Sequence, residues 1–479
     1  MLKPLAFALT LILLTATYAF ADDEKRTDLS DQKEVAVTIY NQDLALVRDK
    51  RTVKLDKGLN HLAFREVSAS IRPETALMRS VTHPDGFYLI EQNFDFDLLT
   101  PQKLLEKYVG KKVGIVKTHP TTGAETYEDA VVLSANNGVV LKVGDRIETG
   151  IPGRIVYKDV PENLRDRPTL VVTLNSATDK AQDVELSYLT GGLAWKADYV
   201  AELNAKDDQL DLNGWVTLTN QSGAAYKDAK LQLVAGDVNR VRQEFDRVQL
   251  MGAVQGMPPP APAPRMAEEG LFEYHLYTLD RPTTIAENQT KQVALLSAGG
   301  VTCTKEFLLR GADYYYSGGY GDLGRKLKIG VFVEFMNKEK NGLGIPLPKG
   351  TVRVYKQDAA GNAQFVGEDN IDHTPKNEKV RLKLGDAFDV TADKKQTDFN
   401  KVAGSGRYNY IYESAYEVVI RNAKKEAVTV KVQEPMPGDW TVISENMPHT
   451  KESSGVAQWL VDVPSEGEAT LKYRVRVRW

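Results

Sequence analysis

Cysteine is nearly absent from this chain of 479 residues, in which Cys303 is the only one. A single thiol has no partner for an internal disulfide, so the stability of the fold must come from its packed cores. Val301, Thr302 and Thr304 surround the thiol with residues that favour strands. We therefore expect Cys303 to be buried and inert rather than a nucleophile.

The sequence also lacks the short motifs that carry enzyme chemistry. None of its six histidines stands at the spacing of zinc ligands from another histidine or from the cysteine. A Gly-x-Ser-x-Gly elbow, a phosphate-binding loop and a dinucleotide fingerprint are all missing. We expect no cofactor and no metal, and no catalytic residue can be named from a motif.

The sequence has almost no excess of one sign of charge, since the formal net charge is -4 at pH 7. So small an excess does not call for nucleic acid or an anionic membrane surface as a partner.

Long apolar runs are confined to the N-terminal end of the sequence. Residues 5–20 are almost entirely apolar, Lys3 precedes them, and Ala19-Phe20-Ala21 has the form that signal peptidase accepts. We predict a signal peptide over residues 1–21 and no transmembrane segment after its removal, because no later run approaches the ~20 residues of a span. No cysteine follows the run, which argues against a lipoprotein anchor. The expected location is a bacterial periplasm, with the cell surface or secretion as alternatives.

Apolar residues at alternate positions are abundant instead. In the stretch 188–220 the odd positions from Trp195 to Leu203 are apolar, as are most even positions from Leu210 to Leu218. Period-two alternation is typical of strands with one buried face. We interpret Trp195 and Trp215 as sandwich residues in preference to a platform for sugar rings.

The predicted fold is all-β, with tandem immunoglobulin-like β-sandwich domains and an inserted small barrel of the SH3-like or Sm-like kind. Helix signals group best at one place, where Thr100 can cap, Pro101 fits the first turn and Gly110 ends the helix. Five short strand candidates follow that helix. An Sm-like barrel would suggest RNA, but balanced charge and the lack of an aromatic stacking motif argue against it, so we expect no nucleic acid partner.

The domain boundaries are predicted from these patterns and from the proline-rich run at 257–264. They are a signal peptide at 1–21, an N-terminal β-sandwich at 22–99 plus 161–245, an inserted helix and small barrel at 100–160, a Pro-rich linker at 246–270, a middle β region at 271–405 and a C-terminal β-sandwich at 406–479. In the middle region the patterns predict separate short strands, at 291–296, 304–309 and 380–385.

Several segments, in order, resemble a known bacterial family. They are VTIYNQDLALVRDKRTVKL at 37–55, YLTGGLAWKADYVAEL at 188–203, GIPLPKGTVRVY at 344–355, VGEDNIDHTPKNEKVRLKLGDAFDV at 366–390 and YEVVIRNAKKEAVTVKVQEPMPGDW at 416–440. Together they resemble the family called domain of unknown function 4139. The resemblance implies an exported β-rich protein. It implies no agreed activity and supplies no catalytic residue.

A tyrosine-rich loop is the most unusual stretch of the sequence. Residues 311–324 read GADYYYSGGYGDLG and place four tyrosines among glycines, namely Tyr314, Tyr315, Tyr316 and Tyr320. Exposed tyrosines bury area at a low entropy cost and suit contacts with sugar rings or partner proteins. The alternative is an irregular loop whose tyrosines pack on the sandwich.

A polar cluster at 368–373 is the weaker candidate for a site. Glu368, Asp369, Asp372 and His373 could form a calcium or catalytic carboxylate site. The cluster lacks the order of oxygen ligands, central glycine and closing glutamate of a calcium loop. The alternative interpretation is a polar loop with local side-chain caps.

These observations favour a non-catalytic cell-envelope protein that binds a protein or polysaccharide partner through loops that include 311–324. The first alternative is an unrecognised envelope hydrolase that acts on glycan, with the 368–373 cluster at its centre. The second is a purely structural spacer. The sequence leaves the ligand and the oligomeric state open.

Overall fold

The computed structural model of the protein describes residues 24–41, 43–161, 164–236, 266–358, 360–403 and 408–479. Strands account for 65% of the structure and helices for 5%, which confirms the all-β prediction. The predicted signal peptide and residues 246–265 of the predicted linker lie outside the described residues, whereas 267–270 belong to a strand. None of the helices in the described part of the chain has the length and hydropathy that a membrane span requires.

The strands described before residue 237 are β1 Lys25–Thr27, β2 Gln32–Tyr40, β3 Leu44–Lys54, β4 Gly58–Arg65, β5 Leu77–Ser80, β6 Phe87–Asp95, β7 Lys112–Thr118, β8 Glu125–Ser134, β9 Val140–Val143, β10 Arg146–Glu148, β11 Arg154–Val156, β12 Thr169–Ser176, β13 Ala181–Thr190, β14 Leu193–Leu203, β15 Gln209–Asn220 and β16 Tyr226–Ala235. The α-helix α1 spans Pro101–Lys107, and short 3₁₀ helices span Leu29–Asp31 and Pro73–Thr75.

The strands described after residue 265 are β17 Ala267–Leu271, β18 Tyr274–Thr278, β19 Thr283–Ile285, β20 Gln289–Arg310, β21 Asp322–Met336, β22 Gly350–Gln357, β23 Ala363–Ile371, β24 Lys379–Val402, β25 Ile411–Asn422, β26 Val428–Pro435, β27 Asp439–Glu445, β28 Thr450–Ser453, β29 Val456–Val463 and β30 Gly467–Arg478. Two further 3₁₀ helices span Asp313–Tyr316 and Lys340–Gly342.

The chain divides into two compact units. The first takes in Leu46–Gly191, Ser222–Ala224 and the described residues up to Ala36; the second takes in Val37–Ala45, Gly192–Gln221 and the described residues from Ala225 to the end. The predicted domain boundaries stay predictions. One of them, at 405/406, falls between β24 and β25, which pair with each other.

The first unit contains the predicted insertion. Helix α1 begins as expected, because the Thr100 hydroxyl accepts a hydrogen bond from the Lys103 amide and Pro101 occupies the first turn. The helix packs Leu105 and the following Tyr108 into a small core with β7, β8 and β9. The strands then pair in the order β10-β9-β8-β7-β11. Strands β10 and β11 stand at opposite ends of this order, so the described residues form an open sheet and not a closed barrel.

Residues 193–220 of the alternating stretch form a strand pair in the second unit. Strands β14 and β15 are antiparallel, with Trp195 opposite Leu218 and Ala201 opposite Leu212. The odd positions of β14 are buried as predicted, and Trp195 belongs to the core. Trp215 faces the other way and is half-buried.

Part of β20 together with β21 and β24–β30 forms a sandwich-like arrangement around a shared core. One layer has the order β21-β24-β25-β30-β27, while β26 pairs with β20 and β29, and β29 pairs with β28. Val418 and Ile420 of β25, Val430 of β26 and Trp459 of β29 meet in the core between them. Burial of such apolar side chains is the main favourable term in folding.

Two strands are much longer than the sequence patterns predict. The strands expected at 291–296 and 304–309 are one continuous strand, β20, and the strand expected at 380–385 is part of β24. Each changes partner along its length: β20 pairs first with β15 and later with β21 and β26. Pairing with different neighbours holds the backbone extended where the local pattern is interrupted.

Candidate functional site

The tyrosine-rich loop connects β20 to β21, and its first tyrosines form the 3₁₀ helix Asp313–Tyr316. Such a helix has about three residues per turn, so successive side chains point in different directions. Tyr316 is fully buried at 0% exposure and Tyr315 is also buried, whereas Tyr314 is 53% and Tyr320 45% exposed. Two of the four tyrosines are therefore exposed and two are packed into the core.

Side chains of β24 and β25 hold the loop in place. The buried Gln396 of β24 accepts a hydrogen bond from the Tyr320 amide (2.7 Å) and donates one to the Gly318 carbonyl (2.9 Å). The Tyr416 hydroxyl of β25 donates to the Tyr315 carbonyl (2.6 Å). The loop is thus anchored through its backbone, which leaves the exposed rings of Tyr314 and Tyr320 free to make contacts.

Burial raises the pKa of the tyrosine hydroxyls at the base of the loop. It raises the pKa of Tyr315 to about 12 and that of Tyr416 to about 12. It also raises the pKa of the fully buried Tyr316 well above its usual range. These groups therefore stay hydrogen-bond donors across the neutral range, because desolvation disfavours the phenolate.

A row of aromatic side chains lies next to the loop. On β25 the face that carries Tyr416 and Ser414 inward also carries Tyr412, and on β30 the face of Tyr473 and Val477 continues to Trp479. Both Tyr412 and Trp479 are only half-buried. The inner face of this layer therefore extends past the end of the core, and aromatic rings occupy the extension.

The rings of this row contact one another. The Tyr412 ring centroid is 5.4 Å from that of Phe399, 5.2 Å from that of Trp479 and 6.3 Å from that of Tyr410. A Cβ atom at Gly319 would lie 3.4 Å from the Phe399 ring, which brings the tyrosine-rich loop against the row. The Tyr314 and Tyr320 rings are 5.5 Å apart, edge to face.

We call this set the aromatic surface. Its members are partly exposed rings of one end of the second unit, namely Tyr314, Tyr320, Phe399, Tyr410, Tyr412 and Trp479. The backbones of Tyr410 and Trp479 are fixed to each other by hydrogen bonds in both directions, at 3.3 and 2.9 Å. Lys401 Nζ lies 5.5 Å from the Tyr410 ring centroid and supplies a polar neighbour.

The predicted polar cluster at 368–373 is not brought together as a site. Glu368 forms an ion pair with Arg353 (3.2 Å), while Asp369 accepts hydrogen bonds from the amides of Lys383 and Asn370. Asp372 is exposed, and His373 Nδ1 accepts from the Lys349 amide (3.2 Å). Within the described ranges no group of three or more His, Cys, Asp or Glu side chains could hold a metal ion.

The second unit has a shallow depression of about 370 Å³, and it is basic. Lys338, Lys340 and Lys379 line it together with Glu334, which already pairs with Lys379 (3.0 Å) and Arg381 (2.9 Å). Its charge would suit an anion, but no acid or base converges in it for catalysis.

Sequence reasoning named the loop and missed the row beside it. Phe399 lies on β24, Tyr410 and Tyr412 lie just before and at the start of β25, and Trp479 follows β30, so no single local composition signal unites the row. The alternating final strand that leads into Trp479 was the one usable hint, because it places that ring on the inner face.

One comparison with known proteins finds a match. The family model described as Domain of unknown function (DUF4139) matches residues 184–479. The matched range contains β14, the tyrosine-rich loop and the aromatic surface, while the resembling segment at 37–55 lies before it. No curated protein matches the chain. Because the match covers more than half of the sequence, the chain belongs to the family described as domain of unknown function DUF4139.

Proposed function

We propose that the protein is an exported, non-catalytic binding protein that holds a polysaccharide of the cell envelope on its aromatic surface. The observation that carries this proposal is the contiguous set of partly exposed rings around Tyr412. Surface-exposed apolar side chains that are clustered, and not scattered, mark interaction sites. Export rests on the signal-peptide pattern at residues 1–21.

The chemistry of the surface favours a sugar polymer. Aromatic faces pack against the C–H faces of sugar rings, and the tyrosine hydroxyls can donate and accept hydrogen bonds to sugar hydroxyls. The rings of Phe399, Tyr412 and Trp479 succeed one another at 5.2–5.4 Å. Such a row offers contacts to more than one sugar unit, as a polymer requires.

Anchoring of the loop also supports a binding role. Gln396 and Tyr416 already hold the backbone of residues 315–320 in place. A ligand that docks on Tyr314 and Tyr320 therefore pays little ordering entropy, and preorganisation of this kind raises affinity.

The hydrolase alternative has less support. Glycoside hydrolysis requires two carboxyl groups that flank one bond. Glu368 pairs with Arg353 while Asp369 accepts from backbone amides of a neighbouring strand, so the two do not converge on a common point.

The test is a glycan array probed with residues 22–479, followed by titration of any glycan that binds. The variant Tyr320→Ala/Tyr410→Ala removes one exposed ring from each half of the aromatic surface. We expect a loss of affinity of about tenfold or more per ring, since a truncated aromatic anchor at the centre of an interface costs about 1.4 kcal/mol or more. Phe388→Ala is the matched control, because Phe388 is 95% exposed and lies outside the surface.

Each outcome has a meaning. Glycan binding that the double variant loses and the control keeps supports the proposal. If no glycan on the array binds and a specific protein is captured from an envelope extract, the ligand is a protein and the polysaccharide proposal is wrong. If neither assay detects binding, the proposed binding function is wrong and the structural spacer is the interpretation that stands.

A further inference from the structure

The second unit buries an amine and a carboxyl group against each other beneath the tyrosine-rich loop. The side chain of Lys394 on β24 is 1% exposed and that of Glu434 on β26 is 0% exposed, and Nζ lies 2.6 Å from Oε1. Strand β24 pairs with β21 and β25, whereas β26 pairs with β20 and β29. The two side chains therefore meet across the core.

The amine end of the pair is surrounded by aromatic rings. Lys394 Nζ is 4.3, 5.1 and 5.9 Å from the ring centroids of Tyr315, Tyr416 and Tyr473. An ammonium has three protons to donate. Yet no hydrogen bond of ordinary geometry reaches Nζ or Oε1 from any residue that the structure describes. A charged pair would be left poorly compensated in this place.

Burial disfavours the charged ammonium form of Lys394. Desolvation lowers the pKa of Lys394, and the contact with Glu434 opposes that shift only in part. Transfer of one proton within the pair leaves an amine, which is a nucleophile, beside a carboxylic acid. The amine lone pair is then available, because Nζ makes no hydrogen bond of ordinary geometry to Oε1.

We propose that Lys394 and Glu434 form an intramolecular amide bond that links β24 covalently to β26. Nζ attacks Cδ of the Glu434 carboxylic acid, and a C–N bond forms. The bond from Cδ to Oε2 breaks, and Oε2 leaves as water with the acid proton and one amine proton. Nothing is oxidised or reduced, and no other reactant is required.

The structure supplies a hydrogen-bond donor at the leaving oxygen. The Tyr316 hydroxyl donates to Glu434 Oε2 (2.9 Å) and lies 3.1 Å from the Tyr473 hydroxyl, which can hold its orientation. A donor of this kind stabilises the negative charge that develops on Oε2 as the bond from Cδ breaks. Gly311 leaves the space for Oε2, since a Cβ atom there would lie 2.0 Å from it.

The surroundings favour the amide over the separate groups. Two groups held in contact react at an effective concentration of about 10⁵ M or more. A site closed to solvent also withholds the water that hydrolysis would need. The product replaces a buried pair of chargeable groups with a neutral amide. In a chain whose one cysteine is unpaired, such a bond would restrict the unfolded state as a disulfide does.

The test is peptide mapping of the purified full chain after unfolding in guanidinium and digestion with trypsin. We expect a branched peptide made of residues 384–395 and 432–451, with a mass lower than the sum of these two peptides by one water molecule, because trypsin does not cleave after an acylated Lys394. Lys394→Met should abolish the branched peptide, and Lys395→Met, at an exposed neighbour, should not. Two separate unmodified peptides from an aged wild-type sample would overturn the proposal.

The role of Tyr316 has its own measurement. Tyr316→Phe keeps the ring and removes the donor, so the branched peptide should accumulate about 100-fold more slowly in a freshly refolded sample. Near-ultraviolet circular dichroism checks that the variant is folded. An unchanged rate in a folded variant removes Tyr316 from the reaction, because a merely structural role would not alter the rate of bond formation.

Discussion

The neighbours of Cys303 determine the chemistry of its thiol. The side chain is buried on β20, and burial, together with the nearby Asp207, raises the pKa of the thiol to about 11. The thiolate is the reactive form of cysteine. We predict that a maleimide reagent labels the folded protein at least ~100-fold more slowly than the unfolded protein at about pH 8. Stopped labelling with mass detection measures both rates, and fast labelling of the folded protein would contradict the burial.

A substitution at Gly311 would test how tightly the side chain of Glu434 is packed. In the unlinked protein the added Cβ atom of Gly311→Ala would lie 2.0 Å from Glu434 Oε2, a distance that forces the buried carboxyl group to move. We predict a loss of about 2 kcal/mol in the free energy of unfolding, in line with other overpacked cores. Denaturant titration measures it. Gly270→Ala is the control, because a Cβ atom there meets nothing within 4 Å.

The tyrosine-rich loop is held in place by hydrogen bonds to the side chain of Gln396 on β24. Gln396→Leu removes the hydrogen bonds to Tyr320 and Gly318 and keeps a side chain of similar size. We expect faster hydrogen exchange at the Tyr320 amide and about tenfold weaker glycan binding through lost preorganisation. Asn400→Ala, at an exposed position of the same strand, should change neither. Equal exchange in the Leu variant and the wild type would mean that Gln396 does not hold the loop.

The contact between the β1 and β6 ends of the first unit depends on pH. Arg165 binds Glu24 (2.6 Å) just before β1 and Asp95 (2.8 Å) at the end of β6. The hydrogen bond from Arg165 lowers the pKa of Glu24 below its ordinary 4.5. A lowered folded-state pKa stabilises the fold above the unfolded value, and this stabilisation is lost as the pH falls through the folded pKa.

Arg165→Leu should therefore destabilise the protein by about 2 kcal/mol at neutral pH, and the difference from wild type should shrink below about pH 4. Urea titrations across the acid range measure the difference. Arg79→Leu, which breaks the exposed pair with Glu185, should have little effect at any pH. A constant difference between Arg165→Leu and wild type would show that the ion pair is not its cause.

Local patterns predicted the elements whose partners are near in sequence. The cap at Thr100, the alternating faces of β14 and β15 and the inward Trp195 all follow from short-range rules. The length of β20 does not follow from such rules, because β20 also pairs with β26, more than a hundred residues later in the chain. Tyr316 is a similar case, since its burial is set by Glu434 and Tyr473, which composition around residue 316 cannot reveal.

At the scale of the whole molecule, the distribution of charge on the protein distinguishes a neutral ligand from an anionic one. The formal net charge is only -4, and the aromatic surface offers rings and hydroxyls more than charges. The depression near Lys338 and Lys340 is basic. A neutral polysaccharide on the rings and an anionic ligand among the lysines therefore predict opposite responses to salt.

Raising the salt concentration from about 0.05 M to about 1 M shortens the screening length from more than ~10 Å to ~3 Å. We expect the affinity for the glycan to change by less than about threefold over this range, because ring packing is not screened. Titration monitored by tryptophan fluorescence can follow it, with Trp479→Phe to identify the reporting ring. A loss of tenfold or more at high salt would move the binding site from the aromatic surface to the lysines.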